Sequence, residues 1–359
     1  MLERVLKKAN KSLAPEQLFF APEYIVLGVN NVCNLHCKMC DVGTQNLETN
    51  FAQNLVGASP LNMPLELFKR IVDQTANSFP KAKLGYAFTE PLVYPDLRDS
   101  LIYAREKGLS TTITTNALNL KRKATDLLDG GVSELFVSLD GLQDTHNYIR
   151  GHKKSFQKAI EGIEFITQFP NAPEISVYCV ITEWNYKELE EFADFFNHQP
   201  IKHLGFMHQN FVTKQMAEQH NALFGHQYRA THSNIEETDF SKINLSILNH
   251  QIQSIKEKNY KFKPSFSPDL EGYNVLDVYY NHPDKKLGKT CNDVFTNMMI
   301  KSDGTVIPSH GRCYNVTLGN LYNNSLKDIW NSSLYGKFRR DLLKNGGLLP
   351  ACNRCCSAF

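Results

Sequence analysis

The nine cysteines of this 359-residue chain are distributed unevenly. Cys33, Cys37 and Cys40 crowd into CNLHCKMC, Cys179 stands alone in EISVYCVIT, and Cys291, Cys313, Cys352, Cys355 and Cys356 lie toward the C-terminus. An odd number split into two end groups fits metal ligation with spare thiols better than paired bridges. The first three permit two chemistries. A structural zinc site takes four protein ligands, so a distant residue would have to complete it. His36 is inside the run, but ligating together with its neighbour Cys37 would strain a short loop. The alternative is a [4Fe-4S] cube held by thiolates at three iron corners, with the fourth iron left open to bind something else.

Elements that position these thiols are readable from the pattern. YIVLGVNNVC is β-prone and delivers Cys33 into a loop. MPLELFKRIVDQTANSF has helical apolar spacing with Pro64 near its start. Strands are expected at KLGYAFTEP, LSTTITTNA, SELFVSLDG, EISVYCVIT and IKHLGFMHQ, alternating with helices in DLRDSLIYAREKG, KRKATDLLDGG, FQKAIEGIEFITQF and KELEEFADFFN. This alternation predicts an α/β fold built on a parallel sheet, a partial (β/α)6 TIM-like barrel, over residues 21–209. Residues 1–20 read as an N-terminal docking segment and 210–284 as a polar helical insertion with connecting strands at KFKPSFSP and VLDVYY. Residues 285–359 read as a small cysteine-bearing domain, in which FTNMMIKSDGTVIP forms a hairpin turned at Ser302, Asp303 and Gly304.

Apolar residues at 42%, charged residues at 21% and a net charge of +2 describe an ordinary globular chain. So small a charge argues against a general grip on nucleic acid or an anionic membrane. The N-terminus lacks the apolar core of an export signal, and no window is apolar for long enough to span a bilayer. The expected compartment is the cytoplasm, where structural disulfides are uncommon.

The spacing CxxxCxxC at Cys33, Cys37 and Cys40, just after the first strand of a βα series, resembles the signature of the radical S-adenosylmethionine (SAM) enzyme family. The resemblance implies that the open iron of a [4Fe-4S] cluster chelates S-adenosylmethionine and that one electron cleaves it to a 5'-deoxyadenosyl radical. Met39 stands where many members have an aromatic residue near adenine. FTEP at 88–91 resembles the family segment whose backbone meets the methionine amino group, with Thr89 and Glu90 as candidates and Phe88 and Thr89 where glycines are common. Such a change is costly only where a positive φ is required. Asn116 in TTNA resembles the family's TNG, again without the glycine. Ser138 in VSLDG resembles a cofactor contact on the fourth strand, and Arg150 in YIRG resembles the arginine near the cofactor carboxylate. Arg150 has an alternative partner in Asp140 or Asp144.

DGTVIP, LGNL, SLKDIW and CNRCC resemble the C-terminal extension called SPASM in full form and twitch in its shorter form. That resemblance implies a second, auxiliary [4Fe-4S] cluster ligated by Cys291, Cys313, Cys352 and either Cys355 or Cys356. Ser309 occupies the usual second-ligand position and Cys313 comes slightly later. A zinc site with the same thiolates is the alternative on spacing alone. One thiol is left over, so Cys356 or Cys355 is a candidate hydrogen donor to a substrate radical. Cys179 reads as a buried small hydrophobe.

These features imply an oxidoreductase that abstracts hydrogen from a small polar substrate, such as a sugar, an aminocyclitol or a nucleoside, with dehydrogenation as the outcome. An external one-electron donor such as flavodoxin or ferredoxin is implied as partner. The alternatives are a radical epimerase, a peptide- or protein-modifying enzyme, and a non-catalytic iron–sulfur redox protein. His208, Asn210 and Tyr178 are placed near the barrel mouth, with strand-end hydrogen bonding as their simpler role.

Overall fold

The computed structural model describes residues 2–309 and 311–359; Met1 and His310, within the expected N-terminal segment and C-terminal domain, lie outside them. Seven parallel strands follow one another across a single sheet: β1 (Tyr24–Leu27), β2 (Lys83–Tyr86), β3 (Thr111–Thr115), β4 (Glu134–Ser138), β5 (Glu174–Ile181), β6 (His203–His208) and β7 (Lys263–Ser267). The first six are the strands expected from the sequence. β7, expected as an isolated connecting strand, pairs with β6 after the insertion. On the other side, β8 (Asn297–Ile300) runs parallel to β1 and turns through Gly304 into β9 (Thr305–Pro308), with β10 (Gly319–Asn320) outermost. The hairpin of the C-terminal region is therefore continuous with the barrel sheet.

Period-two alternation gives the sheet two faces. Ile25, Leu84, Ile113, Val137, Val177 and Phe206 are fully buried on the outer face against the surrounding helices. Cys179 shares that face and is fully buried beside the Asn185 amide, as expected of a structural thiol. The register places Thr114, Phe136, Ser138, Tyr178 and Gly205 together on the inner face. Thr114 is exposed and Phe136, Ser138 and Tyr178 are half-buried, so the lumen is open to a ligand.

VLDVYY is not a strand; it lies within the helix Tyr273–Asn281. Its buried residues Leu276, Tyr279 and Tyr280 fall at i, i+3 and i+4, a helical stripe that the β-branched and aromatic composition obscured. The helix Gln143–Arg150, not anticipated from its polar sequence, ends at Gly151 in the left-handed conformation and carries Arg150 in its last turn.

The N-terminal segment docks onto the C-terminal helices Leu326–Trp330 and Ser333–Lys344. Trp330 Nε1 donates to the Phe20 carbonyl at 2.8 Å, Asn331 exchanges two hydrogen bonds with the Leu18 backbone, and Arg340 pairs with Glu16 at 2.7 Å. Arg354, inside CNRCC, is fully buried. It donates to the carbonyls of Val278, Tyr279 and His282 at the C-terminal end of the helix Tyr273–Asn281, and to those of Lys285 and Asn353. These are carbonyls that a helix end leaves without an internal partner, and a forked cation suits them. Arg354→Met is expected to lower unfolding free energy by at least about 3 kcal/mol, because several buried acceptors lose their charged donor. Denaturant titration checks this.

Candidate active site

The loop after β1 carries the first three cysteines. Cys37 is buried and Cys33 and Cys40 are partly so; they pack with Leu35, Met39, Ile149 and the ring of Trp184. Burial pushes all three thiols up, Cys37 to about 12. Donors aimed at the sulfurs oppose this: the Leu35 N–H at Cys33, the Gly43 and Val42 N–H groups at Cys40, and the Arg150 guanidinium, 3.6 Å from Cys37 Sγ. Three thiols in an apolar wall, each facing a hydrogen-bond donor, is the donor set that an iron–sulfur cluster's thiolates need. Gly43 is required here by close approach, since a Cβ would collide with the Cys37 backbone.

Arg150 makes two contacts, one of them with Asp140, a partner the sequence offered. Its Nε lies 2.5 Å from the fully buried Asp140 carboxylate while Nη1 faces Cys37. Asp140 thereby fixes the guanidinium beside the thiol. Glu90 is also buried, and its carboxylate accepts from Thr115 Oγ1 and the Asn116 and Leu92 N–H groups at 2.7–2.9 Å. With its oxygens so engaged, it clamps the ends of β2 and β3 and aligns the backbone of 88–90. Thr89 Oγ1 is likewise tied to Asn30, and Asn116 Nδ2 to Asn34 in the cysteine loop. Ser138 is on the inner face without such ties.

Of the three positions where family-like glycines are absent, two keep a glycine-like backbone, and Thr89 does not. Phe88 has φ +90° and Ala117 has φ +58°. Phe88 is accommodated because its ring lies over Gly28, where any Cβ would collide with it. The missing glycine is in effect compensated across the strand, a relation that sequence spacing does not reveal.

Tyr178 packs inside the barrel between the Phe136 and His203 rings. His208 instead points outward and is bonded to the Tyr280 hydroxyl at 2.8 Å, and burial lowers its pKa to about 3. Asn210 is buried beside the insertion. The insertion covers the first cysteine loop through residues that sequence reading passed over. Asp41 and Asn234 exchange backbone-to-side-chain hydrogen bonds at 3.0 and 2.6 Å, and Thr231 and Asn50 do the same at 2.7 Å.

Cys291, Cys313, Cys352 and Cys355 line one cavity, with Val294, Phe338, Leu342 and Leu348 among its apolar walls. Burial raises the Cys291 and Cys313 thiols and pushes Cys352 up to about 11. Four thiols enclosed by apolar side chains fit a fully ligated cluster. Cys313 joins them despite its displaced spacing, and Ser309, at φ +51°, lines the same cavity. Cys356 is outside that lining; a hydrogen bond with Cys355 lowers its thiol pKa, helped by Arg312.

Two features join the sites. The helix Asn50–Val56 is capped by Thr49, whose hydroxyl bonds both the Ala52 N–H and Asp41 Oδ2, while Asn54 Nδ2 donates to the Gly311 and Cys313 carbonyls. Arg312, stacked 4.5 Å over the Phe51 ring, places its charge within reach of both Cys40 and Cys356.

Residues 28–196 match the model of the Radical SAM superfamily, and residues 291–356 match SPASM, an iron–sulfur cluster-binding domain. The chain is similar to Fe-coproporphyrin III synthase of Methanosarcina barkeri, 28% identical over 185 residues that span 51% of this chain and 43% of that protein. It is also similar to GTP 3',8-cyclase of Helicobacter pylori, 27% identical over 203 residues, 55% of this chain and 60% of that one. The chain thus spans about half the length of the curated relatives it matches. Among solved structures, SuiB of Streptococcus suis bound to precursor peptide SuiA superposes with a TM-score of 0.63 at 20% identity, covering 98% of this chain and 74% of that one. anSMEcpe with bound AdoMet gives 0.60 at 16% identity, covering 88% and 82%. Both have the same fold. Among the described residues no helix is long and apolar enough to cross a membrane.

Substitution at the two positive-φ positions should act in opposite directions. Ala117→Gly is expected to stabilise by about 0.5–1 kcal/mol, because release from the left-handed penalty outweighs the added unfolded-state entropy. Phe88→Gly should destabilise by about 2–4 kcal/mol, since the lost ring leaves a void over Gly28. Equilibrium unfolding of the two variants measures both signs.

Proposed function

We propose that this chain, which carries a Radical SAM superfamily domain over residues 28–196 and a SPASM iron–sulfur cluster-binding domain over 291–356, is an oxidoreductase acting on a small polar substrate, a sugar, aminocyclitol or nucleoside, with dehydrogenation as the outcome. The observation that carries this reading is the enclosure of Cys291, Cys313, Cys352 and Cys355 in one cavity. Four thiolates would occupy every iron corner of a cluster held there, which would leave no iron for substrate and would suit the site to accepting an electron. Cys33, Cys37 and Cys40 would hold the first [4Fe-4S] cluster; Met39, the backbone at Thr89 and Glu90, Asn116, Ser138 and Arg150 would surround S-adenosylmethionine. When bound, these cofactors supply one-electron sulfonium cleavage and hydrogen abstraction from an unactivated carbon.

The chain's own residues bind, orient and shield. Thr114, Ser138 and Tyr178 present hydroxyls on the inner face, a pattern suited to a ligand rich in hydroxyl or amino groups. Phe136 and Val180 share that face and limit water beside the reacting carbon. Arg150, held by Asp140, offers a cation near Cys37 for the cofactor carboxylate. An external one-electron donor such as flavodoxin or ferredoxin completes the reaction.

A second reading, epimerisation, is supported by one observation: Cys356 is a fifth C-terminal thiol, hydrogen-bonded to Cys355 but outside the cavity lining. In its protonated form such a spare thiol would be able to return a hydrogen atom to a substrate radical.

The anaerobically reconstituted protein is expected to hold about eight irons per chain and to yield 5'-deoxyadenosine on reduction. Full cluster occupancy without cleavage would sink the enzymatic reading. With candidate substrates in deuterated water, net loss of two hydrogens is the expected result; solvent deuterium at an inverted carbon would establish epimerisation instead. Cys355→Ser should lose roughly half the iron, whereas Cys356→Ser should retain both iron and dehydrogenation. Iron loss in the Cys356 variant alone would reverse the ligand assignment.

A further inference from the structure

The C-terminal cysteine site includes a hydrogen bond that its ligand set does not require. Tyr314 directly follows Cys313, and its hydroxyl lies 3.2 Å from Cys352 Sγ and 3.4 Å from His220 Nδ1. A tyrosine has one proton to give, so these two acceptors compete for it. The histidine tautomer is set from its far side. Nε2 meets the Tyr228 carbonyl oxygen, which can only accept, so Nε2 bears the hydrogen and Nδ1 the lone pair. Burial lowers the pKa of His220 and keeps the ring neutral. Stacking then restricts the phenol: the His220 and Tyr314 rings lie 4.8 Å apart at 22°, with Phe338 edge-on at 6.2 Å.

We propose that Tyr314 is a positioning residue of the C-terminal iron–sulfur site: it donates its hydroxyl hydrogen to the Cys352 sulfur and thereby raises the reduction potential of that site. His220 governs how much of that hydrogen the sulfur receives. This rests on the reading that Cys291, Cys313, Cys352 and Cys355 ligate a cluster. A ligating cysteine sulfur is negatively charged and accepts hydrogen bonds, and added electron density strengthens the acceptor. The bond therefore stabilises the reduced state more than the oxidised one. The apolar cavity wall keeps the local dielectric low, so a single donor has a large effect there. A raised potential suits a site that takes an electron from a substrate radical. The insertion, which supplies His220 and Tyr228, thereby acquires an electrical role beside its covering one.

The test is an EPR-monitored redox titration of the reconstituted full-length protein, following both clusters. Tyr314→Phe keeps the ring and removes the hydrogen; the C-terminal midpoint should fall while the N-terminal midpoint and iron content stay unchanged. His220→Phe keeps a stacked ring and removes the competing acceptor; the same midpoint should rise. Shifts of equal sign, or no shift at full iron content, overturn the proposal, since loosened packing alone would not reverse sign between the two variants. Resonance Raman on the unmodified protein needs no variant: transfer to deuterated water should displace an Fe–S(Cys) stretch of the C-terminal cluster, and its absence also overturns the proposal. A C-terminal site without iron in the unmodified protein would instead overturn the ligand reading on which it rests.

Discussion

Burying cysteine sulfur that must carry charge is the constraint on which the rest of this structure depends. A thiolate in an apolar wall is unfavourable unless donors are aimed at it, and burial raises the thiol pKa at Cys33, Cys37, Cys40, Cys291, Cys313 and Cys352. The two sites meet this constraint differently. Around the first, the chain supplies backbone N–H groups from a tight loop and the cation of Arg150, itself neutralised by buried Asp140. Around the second, apolar walls dominate and Tyr314 is a polar donor. The first site is thus electrostatically richer, and the second relies more on apolar enclosure.

Backbone geometry shows how firmly the first site's shape is maintained. Phe88 and Ala117 keep left-handed conformations that would suit glycine, and non-glycine residues there carry a real conformational cost. The cost persists because Glu90 over-determines the segment between them, bonding Thr115, Asn116 and Leu92 at once. Gly28 then gives the Phe88 ring its space. The backbone path at the ends of β2 and β3 is held while the side chains along it have changed.

Much of this was legible in the sequence because it depends on local periodicity and spacing. The six alternating strands, the hairpin at Gly304, the outward-facing Cys179 and the cysteine spacings needed no tertiary information. What escaped was carried by long-range pairing. The helix Tyr273–Asn281 looked like a strand because its aromatic and β-branched residues hid a three-and-four spacing, and its end is stabilised by Arg354, more than 70 residues away. Asn234, Arg312 and His220 were invisible as site residues for the same reason. Each is an ordinary polar residue whose meaning lies in a partner distant in sequence. Family resemblance could name the cofactor contacts, but it could not show that Glu90 has its carboxylate fully engaged by the chain itself.

The spatial relation between the two cysteine sites follows from one short element. Ten residues after Cys40 the chain enters the helix Asn50–Val56, whose cap residue Thr49 is bonded to Asp41 in the first loop. Five residues past that cap, Asn54 reaches the carbonyls of Gly311 and Cys313, and Asn50 pairs with Asn315 on the far side of Cys313. A helix this short would not hold its conformation alone, since so few internal hydrogen bonds cannot offset nucleation. Its bonds to both cysteine loops supply what it lacks. In return it fixes one loop against the other, with Arg312 and Phe51 stacked between them. Disturbing either loop therefore weakens the helix and, through it, the opposite loop, which couples the integrity of the two cysteine sites.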